Sequence, residues 1–144
     1  MREILAQLLG RPLERVIEAR HWRDGVRGEG DDAIIDFWWY FEGLPAAHVC
    51  GDDNGTRLLI TFDEPYASYE MGQYGEFRVA PPEPGDLMAD FVGHRLLEAT
   101  ILGPGAGVWL RFDHRELVVV ERADDFVFVA EPAAIGRLRT TFGD

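Results

Sequence analysis

The sequence predicts an α+β domain, mainly antiparallel β curled into a barrel or two packed sheets, with two short helices closing ends or edges. Three observations predict it. Apolar runs of strand length recur from residue 13 to residue 129, glycine and proline clusters punctuate them, and helical spacing of apolar residues appears in only two short segments. The 144 residues suit a single domain, 1–144, built on one hydrophobic core.

Met1, Ile4, Leu5, Leu8 and Leu9 recur at helical spacing, and Gly10 with Pro12 supplies the stop. Residues 13–22 turn extended around Val16 and Ile17. The glycine- and aspartate-rich stretch 24–32, whose one apolar side chain is Val26, reads as a mobile loop. Residues 33–41 are almost continuously apolar, as expected of a central strand covered on both faces. Trp38 and Trp39 then point to opposite faces, so one lies outside a single core unless both faces are covered.

A short strand through His48 and Cys50 follows, then Asp52-Asp53-Asn54-Gly55, then a strand over 57–62. Asn-Gly between apolar runs signals a hairpin with a type I′ turn, which needs positive φ at both central residues. Residues 69–79 suggest a strand or an irregular hairpin, and Pro81, Pro82 and Pro84 break the chain. Asp86 is placed to cap a second helix through Leu87, Met88, Phe91 and Val92, which Gly93 ends. Strands are expected over 94–102, 108–112, 116–121 and 126–129, with a tight turn at Asp113-His114-Arg115 and a glycine-rich connection over 103–107.

The segment Leu5-Ala6-Gln7-Leu8-Leu9-Gly10 with Leu13 lines up with Met88-Ala89-Asp90-Phe91-Val92-Gly93 with Leu96, and hairpins 33–53 and 106–125 echo each other. The pattern reads as an internal duplication with pseudo-repeat halves 1–80 and 85–135. Shared helix-stop-strand grammar accounts for the same agreement without common ancestry, so both explanations stand at this point.

Twenty-six acidic residues face 14 basic ones, all arginine, for a formal net charge of −12. Phosphate backbones and anionic membranes are repelled by such a surface, so neither nucleic acid nor membrane is expected as a partner. The same charge favours solubility or fast association with a basic protein. The one cysteine, Cys50, excludes an internal disulfide and a Cys-x-x-Cys metal motif. The first residues lack the pattern of an export signal, which leads to an expectation of a cytoplasmic protein.

His48 and Cys50, two apart on a strand, share a face as metal ligands must. Two ligands do not make a site, and His21, His94 and His114 stand at no diagnostic spacing. The protein is therefore expected to carry no metal and no cofactor. Asp52 and Asp53 beside Cys50 disfavour a thiolate nucleophile, and Ser68, the one serine, lacks a nucleophile elbow. The carboxylates of Asp36, Glu70, Glu76, Glu98 and Glu121 have no motif that pairs them for acid–base work. Asp36, inside an apolar run, needs a partner such as Arg20 or Arg111.

No motif is specific enough to name a relative. The leading reading is a non-enzymatic acidic binding module that engages a basic protein partner. Bacterial toxin-neutralising immunity proteins are the type in mind, by general character alone. The expected binding residues are Trp39, Tyr66 and Tyr69, with Asp63 and Glu64 supplying charge. A small-ligand-binding β-barrel is the first alternative, and an enzyme using a carboxylate site is the second.

Overall fold

The computed structural model describes residues 1–142 as two antiparallel sheets packed face to face, with one α-helix before them and one after. Helix α1 (Arg2–Leu8) buries Leu5 and Leu8. The first sheet then takes β1 (Leu13–Arg23), β2 (Val26–Arg27), β3 (Ile34–Phe41), β4 (Ala47–Gly51), β5 (Leu58–Phe62), β6 (Tyr69–Glu70) and β7 (Glu76–Ala80). Its order is β5-β4-β3-β1-β7-β6, with β2 folded back on the end of β1. The second sheet comprises β8 (Leu96–Leu102), β9 (Gly107–Phe112), β10 (Glu116–Arg122) and β11 (Asp125–Val129), in the order β11-β10-β9-β8. Neither sheet closes into a barrel. No helix is long and apolar enough to cross a membrane among the described residues.

The main core fills the space between the sheets with Val16, Phe37, Trp39, Phe41, Val49 and Ile60 from one and Leu96, Val108, Leu110, Phe112, Leu117 and Val119 from the other. Both outer faces are also covered, which explains how adjacent tryptophans can both be fully buried. Trp39 lies in the main core, while Trp38 packs on the outer face with Ile17, Ala19 and Ala46.

Four local expectations are corrected. Residues 24–32 do not form an open loop: Asp24 and Gly25, at φ +51° and +75°, have the positive φ pair of a type I′ turn, and Arg23 pairs with Val26. Arg27, beyond that turn, is a buried hub that meets Glu18, Glu29, Glu83 and Asp86. At 52–57 the hairpin exists but the turn type differs, because positive φ occurs at Gly55 and not at Asn54. Asp52 Oδ1 accepts the backbone N–H groups of Thr56 and Arg57 there, which makes a longer loop self-supporting. Residues Leu87–Phe91 form a 3₁₀ turn and not an α-helix. The Asp86 carboxylate, expected to cap it, is held by Arg27 and the Glu83 N–H instead. The second α-helix is α2 (Pro132–Thr141), where Glu131 accepts from the N–H groups of Ala133 and Ala134 and Pro132 occupies the first turn.

The two sheets carry the same meander. β1, β3, β4 and β5 follow one another as β8, β9, β10 and β11 do, and the pair Leu13–Phe41 is matched by Leu96–Phe112, as Ile17–Trp38 is by Thr100–Trp109. Both first hairpins slip register at corresponding places, between Leu13 and Arg15 and between Leu96 and Glu98. The strand starts pair with each other in a nearly two-fold pattern. Gly10 N–H donates to Leu96 O and Gly93 N–H to Leu13 O, both at 2.7 Å, while Leu13 N–H donates to His94 O and Leu96 N–H to Arg11 O. The segments that read as copies of each other thus occupy equivalent positions.

Candidate functional site

The outer face of the first sheet gathers most of the chain's unusual chemistry. Alternation places Ile17, Ala19 and His21 of β1, Trp38 and Asp36 of β3, and His48 and Cys50 of β4 on this one side. The segment between β5 and β6 crosses it and lays Tyr66 over Trp38. Rings then run in a row across the sheet: His48–Trp38 at 4.9 Å, Trp38–Tyr66 at 5.2 Å, Tyr66–Tyr69 at 5.8 Å, Tyr69–Phe77 at 5.5 Å and Phe77–His21 at 5.3 Å. Tyr66 is 37% exposed and Tyr69 41%, so the middle of the row stands in solvent while its ends are anchored.

At one end of the row, Asp36 is the hub. Its Oδ1 lies 2.7 Å from His48 Nε2, and its Oδ2 accepts the Tyr66 hydroxyl. Cys50 Sγ lies within 4.8 Å of both the Asp36 and His48 ligand atoms. His48 is stacked flat on Trp38, at 12° between planes. Burial, then the nearby Asp36, Glu121 and Asp63 charges, pushes the Cys50 thiol up to about 11. Burial and the Asp36 contact likewise raise the Tyr66 phenol, so it stays a donor at neutral pH.

The expected binding residues divide. Tyr66 and Tyr69 share the row, Glu64 accepts the Tyr40 hydroxyl at 3.2 Å, and Asp63 accepts from Thr61 Oγ1 at 2.7 Å, beside the same face. Trp39 is a correction: it points the other way, into the inter-sheet core, and Trp38, on the outer face, is itself fully buried against Tyr66. The partners of Asp36 are His48 and Tyr66, not Arg20, which is engaged by Glu18, nor Arg111, which pairs with Glu98. Of the other carboxylates, Glu76 pairs with Arg78, Glu70 lies opposite Glu76 at the sheet edge, and Glu121 sits on the second sheet. The sequence alone pairs His48 with Cys50 and leaves Asp36 apart; the missing signal was that strands 34–41 and 47–51 pair with residue numbers summing to a constant, which sets Asp36 opposite Cys50.

A second polar cluster lies on the surface near the β9–β10 turn. His94 and His114 stack at 3.5 Å, and His94 Nδ1 lies 2.7 Å from Asp113 Oδ1. Asp113 also accepts the Arg95 N–H, which with His94 holds its carboxyl below the usual carboxylate range. Arg115 pairs with Asp90 alongside.

Glu121 is buried at the contact between the sheets, where a Cβ on Gly51 would come within 2.6 Å of its carboxyl carbon. Burial, and then Asp124, Asp125 and Asp52, pushes it up to about 7. A carboxyl whose folded value exceeds its unfolded one favours the folded state at low pH. That contribution is lost as pH rises from about 4.5 through about 7. Glu121→Gln is therefore expected to match the parent at pH 4 and to be more stable by about 1–3 kcal/mol at pH 8. Urea titrations of both proteins at the two pH values check it, and equal stability at pH 8 would contradict the assignment.

Comparison of the chain with protein-family models, curated proteins and solved structures finds no match. The class that fold and site define is accordingly structural: a two-sheet α+β domain with an acidic, aromatic outer face.

Proposed function

We propose that the chain is a non-enzymatic binding module that engages a basic protein partner through the outer face of its first sheet. The row of rings carries this reading, since its exposed members Tyr66 and Tyr69 stand near Asp63, Glu64 and Glu70, with Tyr69 and Glu70 paired to β7 and Tyr66 fixed by its bond to Asp36. Tyrosine brings large, rigid, amphipathic contact area at low entropic cost and is enriched among interface hot spots. A net charge of −12 steers a basic surface toward it. Toxin-neutralising immunity proteins are analogous in general character, being small, acidic and without catalytic motifs, and a basic toxin is the partner class that the analogy suggests.

The test is capture from the source cell at 0.1 M and 1 M salt, where the Debye length falls from about 10 Å to about 3 Å. A partner should be retained at low salt and released at high salt. Tyr69→Ala should weaken it at least tenfold, a change of about 1.4 kcal/mol or more. Tyr69 is a cleaner choice than Tyr66, whose hydroxyl also positions Asp36. Neutralising Asp63 and Glu64 together should slow association. Retention indifferent to both salt and Tyr69→Ala would sink the reading, and a co-purifying small molecule with no retained protein would replace it with a ligand-binding one.

A further inference from the structure

We propose that Asp36, His48 and Cys50 form a binding site for a divalent transition-metal ion of borderline softness, such as zinc. The expectation of no metal counted His48 and Cys50 alone and looked for further ligands among the histidines. The third ligand comes from across the β3–β4 hairpin, and the three candidate ligand atoms, a carboxylate oxygen, an imidazole nitrogen and a sulfur, all lie within 4.8 Å of one another. Oxygen, nitrogen and thiolate sulfur together suit zinc and its neighbours far better than magnesium or calcium, which take oxygen ligands.

The second meander supplies an independent argument. By the shared register, Asp36, His48 and Cys50 correspond to Gly107, Val118 and Val120. Val118 and Val120 are buried with Trp109 beneath Ile135 of α2, as a covered sheet face ordinarily requires. The first meander keeps the tryptophan, Trp38, but replaces the glycine and both valines with an acid, an imidazole and a thiol. Packing alone does not call for the polar set, since a glycine and two valines fill the equivalent positions of the other sheet.

The surroundings are also those of a cation site. The partners of Asp36 are His48 and Tyr66, and the carboxylates of Asp36, Asp63 and Glu121 lie near Cys50, a negative setting that a dication balances. Two neighbours hold the ligands in place as outer contacts of metal sites commonly do: Tyr66 donates to Asp36 Oδ2 and leaves Oδ1 toward His48, and Trp38 fixes the plane of the imidazole. The other cluster of candidate ligands, His94 with Asp113 and His114, is more exposed and has the Arg115–Asp90 ion pair beside it. This inference stands apart from the partner reading, since it needs no second protein.

The experiment is titration of chelator-treated protein with cobalt(II), followed by optical absorption, with zinc displacement to give affinity. Because Cys50 is the one cysteine, a thiolate-to-cobalt charge-transfer band can arise from this site alone. The expected result is such a band saturating at about one ion per chain and bleached by zinc. It should vanish in Cys50→Ser and persist in His114→Ala. Asp36→Asn, which keeps the shape of the side chain and its acceptor for Tyr66, and His48→Gln should each weaken zinc at least tenfold. Circular dichroism confirms that each variant is folded. Absence of the band at saturating cobalt would overturn the proposal, as would zinc binding that survives Cys50→Ser but is lost in His114→Ala.

Discussion

Trp39→Ala is expected to lower the unfolding free energy by about 3–5 kcal/mol, the range for removing a large aromatic from a filled core. Trp39 is fully buried between the sheets and meets Phe37 and Phe41 edge-on, at ring distances of 5.2 Å and 6.3 Å. Both of those rings are themselves buried, so little can move in to fill the space. At this chain length the melting temperature should fall by roughly 10 °C or more. Trp39→Phe should cost much less. The Trp39 indole N–H is buried without an acceptor among the described residues, and removing it relieves a desolvation cost of about 1–3 kcal/mol while most of the ring area stays. Urea denaturation of both variants measures the difference. An interface residue would behave the other way, with partner binding lost and stability kept, and that outcome would put Trp39 back among the binding residues.

Trp39 also shows where reading the sequence stops. Strand parity is legible, because side chains alternate, so Trp38 and Trp39 had to face apart. Which of them faces the second sheet depends on what covers each side. That cover comes from residues far along the chain, such as Val108 and Leu110 on the inside and Tyr66 on the outside. The same limit governs the turns. Asn54-Gly55 carries the stronger hairpin signal, yet positive φ pairs fall at Asp24-Gly25, beyond which Arg27 reaches the carboxylates of Glu83 and Asp86, and at Ala123-Asp124. Helix α2 was readable after the fact from Glu131-Pro132 and the spacing of Ile135 and Leu138, signals that a glycine at 136 obscured. The strands other than β2, and the likeness of segment 5–13 to 88–96, were legible. The convergence of Asp36 on His48 and Cys50 was not, since it needs the cross-strand register that hydrophobic patterning leaves open.

Glu18→Ala is expected to cost about 3–5 kcal/mol, as breaking a buried ion pair from one side does. Glu18 and Arg20 are two apart on β1 and so share one face of it, beside Arg27 and Glu83. Their side chains are 6% and 7% exposed, and the guanidinium meets the carboxylate through two bonds, at 2.8 Å and 3.2 Å. Without Glu18 the two arginines fare differently. Arg27 keeps Asp86, Glu29 and Glu83. Among the described residues Arg20 then keeps the carbonyl of Gly28 as its acceptor, so a cation without a counter-charge stays in a buried place. Removing Arg20 as well should therefore recover part of the loss. The double variant Glu18→Ala, Arg20→Ala should fall short of the sum of the singles by about 0.5–3 kcal/mol. Glu98 offers the contrast within the same chain. It holds Arg111 at 2.6 Å, closer than Glu18 holds Arg20, but both partners are about half exposed. Glu98→Ala should cost no more than about 1 kcal/mol and should matter less still at high salt, where the Glu18 variant's deficit persists. Chemical denaturation of the four variants at 0.1 M and 1 M salt decides the matter. Equal costs at Glu18 and Glu98, or strict additivity at Glu18 and Arg20, would mean that distance and not burial sets the strength of these pairs.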